Sequence, residues 1–120
     1  MASLAHIWWH CPLTQRYWTN IATMIHTVTG THLPHTPHTL LFLIIPTSIP
    51  KTQKTLLTHL LTAANLLIPV KWKNTEVREW IAKVDSIKTM EEIHASISHR
   101  YTLFRETWEP WVRFMAENSA

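Results

Sequence analysis

The segment Pro12–Gly30, PLTQRYWTNIATMIHTVTG, announces a helix by its two ends and by its period. A proline in the first turn gives up no hydrogen bond, because that N–H has no partner inside a helix, and glycine is the residue that best follows the last turn. Between them Leu13, Tyr17, Trp18, Ile21, Met24, Ile25 and Val28 recur at threes and fours and draw one apolar stripe. Thr14, Arg16, Thr19, Thr23 and Thr27 form the opposite, polar face. Gly30 is the chain's one glycine against seven prolines, which argues against a sheet with many tight turns. The expected fold is therefore all-α: a small irregular helical domain of about four to five helices with proline-containing links, residues 1–120 forming a single domain large enough for a core.

Downstream, Ser48–Pro69 holds a second helix whose Leu56, Leu57, Leu60, Leu61, Ala64, Leu67 and Ile68 make a wide leucine stripe. Its first turn carries Lys51 and Lys54, cations that oppose the helix dipole. With the free amides of that turn they would meet a phosphate well; as solvated lysines they would be cheaply tolerated. After the basic link Val70–Lys73, Asn74 or Thr75 caps a third helix, with Glu76 and Glu79 at its start and Val77, Trp80, Ile81 and Val84 on its buried face. Thr89 and Glu92 have capping-box spacing and predict a new helix start. From there Met90, Ile93, Ile97, Tyr101, Phe104, Trp108, Trp111 and Met115 keep the helical period as a core stripe, with a kink or a restart expected at Pro110. Thr31–Thr39 reads as a loop with solvated histidines at His32, His35 and His38, and Leu40–Ile45 as a buried run, helical or extended.

The first helix is preceded by unusual chemistry, since His6–Trp18, HIWWHCPLTQRYW, holds the only cysteine, two histidines and three tryptophans. His6 and Cys11, with four residues between them, have the spacing of half a zinc knuckle, and residues 1–12 are expected to form a partial zinc-knuckle-like turn. Zinc would need further ligands from elsewhere; otherwise Cys11 is a small hydrophobe at a helix start. Charge is divided along the chain. Residues 1–73 contain Arg16, Lys51, Lys54, Lys71 and Lys73 and no acid, a charge of +5, and the remainder carries −2. Such a segment favours a polyanion partner, or serves only to solvate the domain. No catalytic residue is assigned: a Cys11 nucleophile with His6 or His10 has no third group to orient the base, and one glycine cannot build a phosphate loop. No apolar run approaches the roughly 20 residues of a membrane span. Neither a secretion signal nor a disulfide framework is present, so the expected location is intracellular, cytoplasmic or nuclear.

In order along the chain, HIWWHC, PLTQRYW, a proline-flanked apolar run, the leucine helix, EWIAKVDSIKTMEE and ETW resemble the C-terminal segment of the second open reading frame protein of LINE-type non-LTR retrotransposons, the region after the reverse transcriptase. The resemblance covers nearly the entire chain. His6 and Cys11 match the second half of that family's cysteine–histidine motif, Trp8 and Trp9 the aromatic pair inside it, Gln15 and Trp18 the next helix, and Trp80, Ile81, Thr89, Met90 and Glu91 the later block. The upstream cysteine pair, the endonuclease and the polymerase palm are missing. The resemblance implies a fragment, from a truncated element or a derived gene, and a role in binding template RNA. The expected function is thus non-catalytic binding of an RNA or DNA backbone through Arg16, Lys51, Lys54, Lys71 and Lys73, with a reverse transcriptase domain as a further partner. The alternatives are a helical module docking on a polymerase domain through aromatic surface at Trp108 and Trp111, or a remnant with no selected function.

Overall fold

The computed structural model describes residues 9–71 and 77–118, with 69–71 by their backbone alone. Its elements are α1 (Pro12–Thr29), α2 (Pro37–Leu40), α3 (Lys51–Lys71), α4 (Val77–Ser98) and α5 (Tyr101–Glu117), and no strand occurs among the described residues. The chain is all-α, as its period and punctuation predict.

The leucine helix is the centre. Leu56, Leu57, Leu60, Leu61, Ala63, Ala64 and Ile68 are all fully buried, and at 100° per residue they span an arc of about 160°. That arc is wide enough to be covered by three neighbours, and α1, α4 and α5 all pack on α3. Each leucine buried there is worth about 1.5–3 kcal/mol. Two polar anchors fix the neighbours in register. The Tyr17 hydroxyl on α1 donates to the Ala64 carbonyl at 2.7 Å, and the Trp80 indole N–H on α4 donates to the Leu60 carbonyl at 3.0 Å. These carbonyls lie one turn apart on α3, so α1 and α4 grip the same segment. Burial, reinforced by the charge of Glu79, pushes the Tyr17 phenol well above its ordinary range and keeps it a donor. Between α4 and α5 the Trp111 indole donates to the Asp85 carboxylate at 2.9 Å.

On the threonine-rich face of α1 the hydroxyls find acceptors on the preceding turn and so do not compete for the helix's own donors. Thr19, Thr23 and Thr27 donate to the carbonyls of Gln15, Thr19 and Thr23, each at 2.9 Å. α1 closes as expected, with Gly30 in the left-handed region and its N–H on the His26 carbonyl.

Several expectations are corrected. The stripe of α1 begins at Thr14, which is fully buried, while Leu13 is exposed. α3 starts at Lys51, directly after Pro50, and continues through Pro69 to Lys71. The stretch assigned to a loop contains α2, capped by the Thr36 hydroxyl, which accepts from the Thr39 N–H. Leu40–Ile45 is buried only at its ends: Leu40 and Ile45 are in the core, whereas Phe42 is 67% and Ile44 58% exposed. The Leu40 carbonyl is held by the Asn65 side-chain amide at 2.9 Å. The caps Asn74 and Thr75 lie outside the described residues.

No helix starts at Thr89. α4 runs through it, and the Thr89 hydroxyl donates to the Asp85 carbonyl at 3.0 Å rather than capping. The break comes ten residues later, at His99, so the apolar run is split between two helices. Met90, Ile93 and Ile97 are left 66%, 51% and 75% exposed, while Phe104, Trp108 and Trp111 enter the core. At Pro110 there is no restart, and α5 continues to Glu117. The turn at His99 has the Schellman pattern: the Arg100 N–H donates to the Ala95 carbonyl at 2.9 Å, and His99 takes φ 59°. A side chain in that left-handed conformation is strained where glycine is not. His99→Gly should therefore raise stability by about 0.5–1 kcal/mol, measured by urea denaturation; an unchanged or lower midpoint would show that His99 makes compensating contacts.

Candidate nucleic-acid interface

Of the five cations assigned to a polyanion partner, the structure brings two together. Lys51 and Lys54 are exposed in the first turn of α3 and border a surface depression of about 630 Å³, shared with Thr47, Ile49, Thr55 and Thr58. No acid occurs among these residues or in the first turn of α3. Proline at position 50 brings no N–H to the turn, and the Lys54 N–H is already bonded to the Pro50 carbonyl at 2.9 Å. The amides of Lys51, Thr52 and Gln53 belong to the part of a helix that has no internal acceptor. Two ammonium groups beside such amides have the chemistry of an anion contact. The hydroxyls of Thr55 and Thr58 donate to the carbonyls of Lys51 and Lys54 at 3.1 and 2.9 Å.

Arg16, exposed on α1, does not join this surface. Lys71 ends α3, which places its backbone about 30 Å along the axis from Lys51. Lys73 lies outside the described residues, as do His6 and Trp8. Cys11 is buried at the N-cap of α1, its backbone extended and its side chain making no cap hydrogen bond. Among the described residues no group of three or more His, Cys, Asp or Glu is placed to hold a metal ion. The loop histidines diverge: His32 stacks on His26 at 3.6 Å, His35 meets the Gln15 carboxamide at 3.1 Å, and His38 lies edge-on to Phe42. Gln15 also donates to the Trp9 carbonyl at 2.5 Å. It thereby ties the residues before α1 to the histidine loop.

A second concavity escaped the sequence reading. Thr55 also lines a cleft of about 180 Å³ between α3, α4 and α5, whose other walls include His59, Glu91, His94, Arg100 and Trp108. His59 lies over Trp108 with ring centroids 5.4 Å apart and planes 18° from parallel. The signal available was the position of His59 one turn before Ala63, on the flank of the leucine arc. That its partners come from α4 and α5 depends on the turn at His99, which no local pattern foretold. The residues of the EWIAKVDSIKTMEE block are divided in the fold: Trp80 is in the core, Met90 is exposed, and Glu91 reaches the cleft.

No helix of the described residues is long and apolar enough to cross a membrane. No family model matches the chain, and no solved structure matches it.

Burial lowers the pKa of His59 below its ordinary 6.5, with the carboxylate of Glu91 opposing the shift. The stacked imidazole therefore contributes fully above 6.5. As pH falls through that value the unfolded chain takes up the proton first, and stability is lost until pH passes the folded value. His59→Phe keeps a ring on Trp108 and cannot titrate. Thermal unfolding should show the variant gaining on the native chain as pH drops from 7 to 5; parallel curves would mean that burial leaves His59 unshifted.

Proposed function

We propose that the chain is a non-catalytic nucleic-acid-binding helical segment that grips the phosphates of a single strand at the N-terminus of α3, in keeping with its resemblance to the C-terminal segment of LINE-type retrotransposon proteins. The observation that carries this reading is the pairing of Lys51 and Lys54 on one acid-free depression. Two lysines there oppose the helix dipole by about 0.3–1 kcal/mol each, a penalty that an anionic ligand removes. The reading places RNA on Lys51 and Lys54 and leaves Arg16 as an outlying charge. Zinc enters it only if ligands beyond Cys11 are supplied.

The test separates binding from folding. Lys51→Glu/Lys54→Glu should be at least as stable as the native chain, because carboxylates suit that end of a helix. Binding to a labelled single-stranded RNA should weaken, and the slope of log affinity against log salt should fall by about 1.4, two phosphate contacts at about 0.7 each. Equal affinity and equal slope in a folded double variant would end this assignment.

A second reading, docking on a polymerase domain, is favoured by a different observation. The aromatic surface expected at Trp108 and Trp111 does not exist, since both are 1% exposed. Met90, Ile93 and Ile97 instead leave an apolar strip uncovered on α4. Ile93→Lys/Ile97→Lys should abolish association with such a domain while RNA affinity stays the same; loss of RNA affinity instead would put the strip in the nucleic-acid interface.

A further inference from the structure

We propose that the cleft between α3, α4 and α5 receives one unstacked guanine of a single-stranded RNA, with Glu91 accepting from the base's N1–H and N2–H donors and Arg100 donating to its O6 or N7. The inference deepens the phosphate-binding reading and rests on it for the path of the strand, but the cleft's own chemistry is separate.

Size comes first. The cleft measures about 180 Å³, and a cavity of about 150 Å³ is enough to hold a benzene ring. The six-membered ring of a base, with the groups on it, fits inside; a whole nucleotide does not. The walls are of two kinds. His59, half-buried, supplies a ring surface backed by Trp108, whose own faces are closed to solvent; such rings are the material on which unpaired bases rest. Glu91, half-buried, supplies a carboxylate, and Arg100, exposed, supplies a guanidinium.

This pair of groups selects the ligand. A carboxylate in so small a space repels phosphate, so the cleft takes the neutral part of a nucleotide and leaves the charged part outside. Two adjacent donors are needed to satisfy both carboxylate oxygens, and guanine alone among the four RNA bases presents them, as N1–H and the N2 amino group. Guanine also offers O6 and N7 as neighbouring acceptors, the edge to which guanidinium groups bind in pairs. Uracil and cytosine each bring one donor group to that edge, and adenine brings its amino group alone.

Position supplies the remaining argument. Thr55 lines both the guanine cleft and the depression bearing Lys51 and Lys54. A base entering the cleft therefore leaves its backbone beside the two lysines, the separation of duties expected of a single-strand site.

The test compares three labelled RNA heptamers, all-uridine, one with a central guanosine and one with a central inosine, which lacks the N2 amino group. Fluorescence anisotropy with the full chain should show the guanosine heptamer bound about tenfold more tightly than all-uridine, with inosine between them. Glu91→Gln, which keeps shape and removes the charge, should bring all three within about twofold. Lys51→Glu/Lys54→Glu should weaken all three while preserving their ratios. In parallel, guanosine monophosphate is titrated and the ring signals of His59 and His94 are followed by NMR; they should shift in the native chain and not in Glu91→Gln. Equal binding of the heptamers with no shift would overturn the guanine site and leave the phosphate reading standing. Shifts with guanosine monophosphate but no heptamer binding would uphold the cleft and overturn the phosphate reading.

Discussion

The structure depends on the burial of α3 along an arc too wide for one partner. Seven of its apolar residues have no solvent contact, and three helices are required to cover them. The two hydrogen bonds from Tyr17 and Trp80 to α3 carbonyls convert that general attraction into one register. An apolar surface alone would let α1 and α4 slide along α3; a buried hydroxyl or indole N–H left without its acceptor would cost about 1–3 kcal/mol. Each anchor also lies on a ring that itself fills the core, so packing and direction are supplied by the same side chains.

Covering α3 so completely decides what remains available for function. The exposed face of the helix is mostly polar, Leu66 excepted, and its first two turns are where Lys51, Lys54, Thr55 and Thr58 come to the surface together. The candidate interface follows from the core: the leucine arc turns inward, so the residues between its turns must face outward. The charge division along the chain acquires a spatial meaning in the same way. α3 belongs to the acid-free part and α4 to the acidic part, and their contact brings Lys54 and Glu91 to either side of Thr55.

The helices themselves were legible because burial on one face leaves a period, and every stripe read from the chain is helical, although the run Met90–Met115 is divided between α4 and α5. What the period could not report is whether a partner covers the stripe. Met90, Ile93 and Ile97 keep the same spacing as Phe104, Trp108 and Trp111, yet the first group is exposed and the second buried. The difference arises at His99, where a residue without the usual glycine signature adopts the left-handed turn. A capping box at Thr89 was the stronger local signal and lost, because a helix start there would have removed the backbone bonds of a helix already anchored at Trp80 and Asp85. Thr14 was misplaced for a simpler reason. It lies four residues before Trp18 in the line Thr14, Trp18, Ile21, Ile25, Val28, and its polarity concealed a position that its spacing gave away.

For the candidate site, Lys51 and Lys54 were visible in sequence because cations at a helix start are an electrostatic oddity. Arg16 and Lys71 were grouped with them on charge alone, and charge carries no information about direction. The cleft was invisible because its walls come from three helices whose approach depends on a single turn. That contrast explains why the two concavities have different chemistry. The depression is built from the first eight residues of one helix and the link before it, and apart from Ile49 its lining is lysine and threonine. The cleft is built across long separations, and so combines an imidazole and indole stack with a carboxylate and a guanidinium. Uniform charge can hold a backbone without regard to sequence, whereas discrimination among bases needs donors and acceptors fixed relative to a flat surface.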